Sequence, residues 1–223
     1  DWKLVGKEDQ PWELYNIATD RAEQHDLASS QPDRVKDLAA KWEGYAARAN
    51  VLPLGAWRED ARTPLSTRRR FELTADSRLT RAEAPAIARK GFTITAKLRA
   101  DEEHRKGVIV AQGGSALGYV LLLADGRRPR FIVRTPAGVS RITGPSLETG
   151  DHTIVARLDK TGRLTLDIDG NAAAEPVQGH LIPRMPGEGL QVGRDENASV
   201  GGYASPHPYE GAIHSVVIEI GEN

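Results

Sequence analysis

From Phe92 onward the chain alternates apolar runs with polar punctuation at the short period of an all-β protein. Phe92, Ile94, Ala96, Leu98 and Ala100 stand at every second position with polar partners between them, the pattern of a strand with one wet face. Gly107 to Gly114 is instead a continuous apolar run entering a glycine turn, the pattern of a strand buried on both faces. Tyr119 to Leu123 follows, with Asp125-Gly126 as its turn. Phe131–Arg134, Val139–Ile142, His152–Leu158 and Leu164–Ile168 continue the series. Leu190 to Val192 predicts a short strand ending in Gly193, and Tyr209 to Ile220 a long closing strand, with an irregular Gly- and Pro-rich loop between them. Short strands separated by Gly, Pro and Asp turns, with no long helical period, predict a mainly β fold, an antiparallel β-sandwich, over residues 71–223.

The first quarter is patterned differently. Trp2–Val5 and Trp12–Tyr15 read as two strands of a hairpin across the polar turn Gly6–Pro11. Asp20-Arg-Ala-Glu23 has the form of a capping box and predicts a helix start. A longer helix follows, capped by Ser30 or Gln31, with Pro32 in its first turn and Asp33 at its positive end. Val35, Leu38, Ala39, Trp42, Ala46 and Ala49 make one apolar face, and Asn50 suits the left-handed position that ends a helix. Pro53, Gly55, Pro64 and the charged run Arg58–Arg62 read as an extended connector. The expected organisation is therefore a small α+β segment at 1–54, a linker at 55–70 and the sandwich at 71–223. A hairpin and one helix bury too little apolar surface to stand alone, so the first segment is expected to be part of something larger.

Composition narrows the chemistry. Lys and Arg number 30 against 31 Asp and Glu, and a net charge of -1 gives no broad pull toward nucleic acid or a membrane surface. No apolar run is long enough to span a bilayer. The absence of cysteine excludes disulfides, thiolate metal sites and a cysteine nucleophile. The six histidines are scattered without metal-ligand spacing, and no serine sits in a Gly-x-Ser-x-Gly turn. Glu102, Glu103 and Glu219 suggest no pair facing across a groove, as a glycosidase needs. No catalytic residue and no metal ligand is therefore assigned within this chain.

Two resemblances sharpen the reading. Leu190-Gln-Val-Gly-Arg-Asp195 followed by Tyr209-x-Gly-x-Ile-x-x-Val, with Gly-Val-Ile-Val, Gly-Gly, Gly-Tyr and Gly-Asp-His in order before them, resembles concanavalin A-like (laminin G-like) sandwiches of jelly-roll type. The resemblance implies that the last strand lies beside the first strands of the domain. It also implies a fold that often binds sugars, sometimes with calcium. The closing loop offers Arg194, Asp195, Asn197, Tyr203, His207 and Tyr209 as a candidate ligand edge, where rings stack on a sugar and carboxamides bond its hydroxyls. The alternative is that Tyr203 and Tyr209 pack beneath the loop. No tryptophan follows Trp57, which argues against a tryptophan platform for sugar. Asp167-Ile-Asp-Gly-Asn171 carries oxygens at alternate positions, as a calcium loop does, but reads first as a hairpin turn with Asp169-Gly170 at positive φ. Arg68-Arg-Arg70 suits either a sulfated glycan or a solvated face.

The second resemblance lies in the first segment. Asp1-Trp-Lys-Leu-Val, Pro11-Trp-Glu-Leu-Tyr-Asn-Ile-Ala-Thr-Asp20, Glu23-Gln-His-Asp-Leu-Ala28 and a helix ending near Val51-Leu-Pro53 resemble the C-terminal end of an arylsulfatase. Asn16, Arg21 and Asp26 depart from the family pattern. The resemblance implies a parent hydrolysing sulfate esters with a formylglycine nucleophile on calcium. The catalytic domain would lie upstream of Asp1 and be this chain's partner, in the periplasm or outside the cell. Ser30-Gln-Pro-Asp-Arg34 fits the nucleophile's Ser-x-Pro-x-Arg pattern. The family's following Thr-Gly is absent, however, and Ser30 is assigned to the helix start. The sandwich is then either a structural module for packing or oligomerisation, or a carbohydrate-binding module for a sulfated glycan.

Overall fold

Three tryptophans and an arginine tie a short hairpin to a helix in the first of the two units, Asp1–Arg62 and Thr63–Asn223, into which the chain divides. The computed structural model describes residues 1–6, 10–48 and 64–221. Strand β1 (Trp2–Val5) pairs antiparallel with β2 (Glu13–Asn16), Trp2 opposite Asn16. Helix α1 (Pro32–Arg48) presents the expected face: Val35, Leu38, Ala39 and Trp42 are half-buried and Ala46 is fully buried. Trp12 meets Trp42 edge-on at 5.6 Å between ring centroids, and the Arg34 guanidinium lies 4.2 Å from the Trp2 ring. These rings fasten hairpin to helix within the unit. The expected helix end at Ala49 and Asn50, and the connector from Val51 to Arg62 with Trp57, fall outside the described residues.

One local expectation is corrected here and another is resolved. Asp20–Glu23 starts no helix. The Asp20 carboxylate accepts the N–H groups of Gln24 (3.2 Å) and His25 (2.8 Å), Glu23 stands at φ 54°, and its side chain pairs with Lys3. A left-handed residue at that point turns the chain back, and Leu27 N–H bonds the Leu14 carbonyl. Of the two residues expected to cap α1, Gln31 takes the position, its carbonyl accepting the first helical bond from Val35, while the Ser30 hydroxyl donates to the Leu27 carbonyl at 3.0 Å.

The second unit contains β3 (Arg70–Leu73), β4 (Arg78–Leu79), β5 (Phe92–Ala100), β6 (Gly107–Gly113), β7 (Gly118–Ala124), β8 (Arg128–Thr135) and β9 (Gly138–Thr143). It continues with β10 (Gly150–Leu158), β11 (Arg163–Ile168), β12 (Asn171–Ala172), β13 (Val177–Gln178), β14 (Leu190–Val192) and β15 (Ile213–Ile220). One antiparallel sheet runs β12-β11-β10-β5-β15-β3, with β13 also on β11; the other runs β4-β14-β6-β7-β8-β9. The last strand lies between β5 and β3, so Ile218 faces Ile94 on one side and Phe71 on the other. The core between the sheets is centred on Phe92, Tyr119 and Phe131, with Phe92 4.6 Å from Tyr119 and 6.2 Å from Phe131.

Two boundaries within the second unit differ from expectation. Ser66 N–H already bonds the Ala82 carbonyl and Arg69 exchanges main-chain and side-chain bonds with Ile220, so the sandwich begins before Arg70. The closing strand starts at Ile213, not Tyr209. Its register on β5 breaks between Ile213 and Ser215, a bulge at His214. Tyr209 has turned into the core, where its hydroxyl donates to the Arg99 carbonyl at 2.7 Å.

The two sheets treat their outer faces differently. β5 alternates as expected: Ile94, Ala96 and Leu98 point into the core, while Thr93, Thr95, Lys97 and Arg99 face outward. β6 and β7 are buried on both sides. Their second face forms a separate apolar cluster of Val108, Ala111, Val120, Leu122 and Ile132, and Val200 lies on it from the loop joining β14 to β15. That loop is closed at its base by main-chain bonds, Gly193 N–H to Ile109, Tyr209 N–H to Gly193 and Val108 N–H to His207, each 2.9 Å. Gly107 permits the closure: at φ 142° a Cβ there would stand 2.4 Å from the Tyr209 Cα.

Candidate functional site

Where the loop leaves the sheet it does not seal completely, and a cleft of about 170 Å³ remains on the outer face. Its floor is Leu122, Ala124 and Ile132; its wall is Gly201, Gly202, Tyr203 and His207; its rim carries Lys106, Asp125 and Arg130. Register brings the rim together. Arg130 stands opposite Leu122 on the neighbouring strand, and Gly107 stands opposite Leu123. Lys106, just before β6, therefore meets Asp125, just after β7, with Nζ and Oδ1 3.3 Å apart. Arg130 is steadied through its Nε, which donates to Thr143 Oγ1 at 3.0 Å.

The wall is aromatic and braced from behind. Tyr203 and His207 stack with centroids 5.4 Å apart and planes inclined by 26°. The Tyr203 hydroxyl donates to the carboxylate of Asp195, which is only 1% exposed. The other Asp195 oxygen accepts the Asn197 N–H at 3.2 Å, and Asp195 N–H bonds the Pro206 carbonyl at 2.9 Å. The Ser205–Pro206 peptide in this loop is cis. Burial pushes the Asp195 carboxyl above the ordinary carboxylate range, against the pull of Tyr203 and Asn197. Burial and the adjacent carboxylate together raise the Tyr203 phenol. Burial, then the Lys106 charge, holds His207 below the ordinary imidazole range, so it is neutral at about pH 7. The rim thus presents two cations and one carboxylate over an apolar floor.

Two of the six residues expected at the ligand edge, Tyr203 and His207, line this cleft. The other four are placed elsewhere. Arg194 is paired with Asp76 and lies 3.8 Å from Glu196. Asp195 is buried behind the wall, Asn197 contributes main-chain bonds inside the loop, and Tyr209 is in the core. Lys106, Asp125 and Arg130 carry no signal in the sequence, where each reads as an ordinary charge at a strand end. The remaining candidates are accounted for locally. Asp169 and Gly170 take the positive-φ turn positions, and the Asp169 carboxylate accepts Thr153 N–H at 2.8 Å and meets His152 Nδ1 at 2.7 Å. Among the described residues, no three His, Asp or Glu side chains converge to hold a metal ion. Arg70 is bracketed by Glu72 (3.0 Å) and Glu219 (2.5 Å), and Arg68 lies over the Phe71 ring.

No family model matches the chain. Among solved structures it resembles NanB, the Streptococcus pneumoniae sialidase, in a structure with Optactamide, at 12% identity and a TM-score of 0.50 over 67% of this chain and 26% of that one. It also resembles the leech intramolecular trans-sialidase complexed with 2,7-anhydro-Neu5Ac, at 14% identity and a TM-score of 0.50 over 68% of this chain and 25% of that one. The fold is a concanavalin A/laminin G-like β-sandwich. Domains LG4-5 of the mouse laminin alpha1 chain are a further neighbour of this sandwich, at 14% identity and a TM-score of 0.44 over 70% of this chain and 40% of that one. The chain spans about a quarter of the length of the two sialidases, and at such identities the likeness is one of fold.

Proposed function

We propose that the sandwich is a carbohydrate-binding module holding a sulfated glycan for a sulfatase whose catalytic domain, with its calcium, lies outside this chain. The cleft on the outer face of the six-stranded sheet carries this reading. Leu122, Ala124 and Ile132 offer an apolar floor for the C–H face of a sugar ring, and Tyr203 with His207 an aromatic flank. Arg130 and Lys106 supply charge-assisted donors for a sulfate, and Asp125 an acceptor for hydroxyls. The sulfatase part rests on the sequence of the hairpin and helix in the first unit. On this reading the protein works in the periplasm or outside the cell.

The competing reading, a structural module for packing or oligomerisation, needs apolar surface to bury. Among the described residues the large exposed hydrophobic side chains are Ile17 (38%) and Tyr45 (56%), both in the Asp1–Arg62 unit. The sandwich offers no such anchor among those residues, which favours ligand binding. Calorimetric titration of the full chain with sulfated and desulfated forms of one glycan tests the proposal, with a chromogenic aryl sulfate assayed alongside. Saturable binding of the sulfated form alone, without turnover, is expected. Binding of neither form would overturn the binding function, and equal binding of both would overturn its preference for sulfate. Turnover would return catalysis to this chain and make Ser30 a nucleophile candidate.

A further inference from the structure

We infer that the cleft admits one terminal sugar residue bearing a single anionic group, so that the module reads chain ends and not chain interiors; this rests on the carbohydrate-binding reading above. The first reason is size. At about 170 Å³ the cleft is well below the roughly 300 Å³ at which pockets begin to enclose drug-sized ligands, and suits one ring with its substituent.

The second reason is that main chain closes the cleft on two sides. Its apolar floor continues toward Val108, Ala111 and Val120, but the loop lies on that continuation. Val200 is buried there, and its carbonyl accepts Arg134 Nε at 2.6 Å. Gly201 sits so close to the sheet that a Cβ would stand 2.6 Å from Ile132 Cδ1. At the His207 side the chain is bonded to β6 by Val108 N–H, and Pro208 bridges Val108 directly. An interior residue of a polymer has a glycosidic bond leaving in each direction and needs a groove open at both ends. This cleft has main chain across two of its sides.

The third reason is the charge pattern. Arg130 and Lys106 face Asp125 across a short rim, giving one net positive charge, which matches one sulfate or carboxylate with a hydroxyl beside it. A sulfated polymer interior would instead be met by a row of cations. Of the cations on the other sheet, Arg70 is occupied by Glu72 and Glu219, and Arg99 by Asp151.

The test is stoichiometry against ligand length. The full chain is mixed with sulfated oligosaccharides of short, intermediate and long defined length, and the complexes are weighed by sedimentation equilibrium. End recognition predicts one protein per oligosaccharide at every length. It also predicts displacement by N-acetylgalactosamine 4-sulfate or by glucuronate, which separates a sulfate from a carboxylate as the anion, and none by N-acetylgalactosamine. Arg130→Gln should weaken binding about tenfold or more at an unchanged melting temperature. A protein count per chain that grows with length would overturn end recognition while leaving carbohydrate binding in place. Competition by the neutral monosaccharide equal to that of the charged ones would overturn the anionic part. Binding at no length would remove the carbohydrate reading itself.

Discussion

The outer faces of the two sheets make opposite choices. On the seven-stranded sheet, Arg157, Thr93, Glu219 and Arg70 form a row across four adjacent strands, paired among themselves and wet. On the six-stranded sheet the equivalent surface is Val108, Ala111, Val120, Leu122 and Ile132, roofed by the β14–β15 loop. Antiparallel sheets commonly leave one face to solvent, and the first sheet does so. The second has a small third layer made from a single loop, and the cleft lies where that layer stops. An apolar floor with charges at its edge is what an unroofed patch of such a surface becomes.

The contrast is broken most severely by truncating residues on the two faces. Phe131 and Ile132 are neighbours on β8 pointing in opposite directions. Phe131→Ala is expected to cost about 3–5 kcal/mol as a core cavity, and Ile132→Ala about 2–5 kcal/mol, because the roofed face is packed like a core. Thr95→Ala, on the outer face of the other sheet, should stay within about 0.5 kcal/mol. Urea denaturation of the three variants measures this. An Ile132 variant as stable as the Thr95 one would mean that the loop does not pack on the sheet.

The distinction between the two sheets is partly legible in sequence. The alternation of β5 and the unbroken apolar runs of β6 and β7 announce one-sided and two-sided burial. What covers the second side is not announced. The loop from Gly193 to Pro208 contributes Val200 and Tyr203 to the outer cluster, and two such residues among glycines and polar groups carry no period. The rim is hidden for a different reason. Lys106, Asp125 and Arg130 meet through strand register, and register is fixed by the bulge between Val108 and Val110 and by the turn at Gly126 and Arg127. Tyr209 lies ahead of the closing strand, which begins at Ile213, and its ring enters the core. Carboxylates are seldom buried, so nothing in the sequence marks Asp195 as the buried acceptor of the Tyr203 hydroxyl.

That burial gives a smaller effect with a definite sign. The folded state holds the Asp195 proton more tightly than the unfolded chain does. The group's contribution is therefore most favourable below the unfolded carboxylate value and is lost as pH rises through the raised folded value. Asp195→Asn has no charge to bury and can still accept the Tyr203 hydroxyl. The stability of the native chain relative to this variant should fall as pH rises from about 4 to about 7, read from paired denaturation curves. Taking the difference between the two curves removes the opposite slope from Asp20, Asp26, Asp101 and Asp169, whose carboxyls are all held below the ordinary range by hydrogen bonds. A difference that rises with pH would mean that hydrogen bonding outweighs burial at Asp195.

The smallest effect belongs to an exposed ion pair that joins the loop to β4. Arg78 grips Glu196 through both terminal nitrogens, at 2.7 and 2.9 Å, with both side chains substantially exposed. Glu196→Gln should cost about 0.5 kcal/mol or less and cost less still at high salt. A larger loss in thermal melts would show that this pair helps to clamp the loop.

The most direct measurement is a residue-resolved map of ligand contact, taken from amide proton–nitrogen spectra of the full chain during titration with a sulfated disaccharide. Saturating shifts at Lys106, Ala124, Arg130, Gly202, Tyr203 and His207, with Thr93, Thr95 and Lys97 unmoved, are the predicted result. Shifts along Thr93, Thr95, Lys97 and Arg157 with the cleft amides still would contradict it, and would move recognition to the wet face of the other sheet.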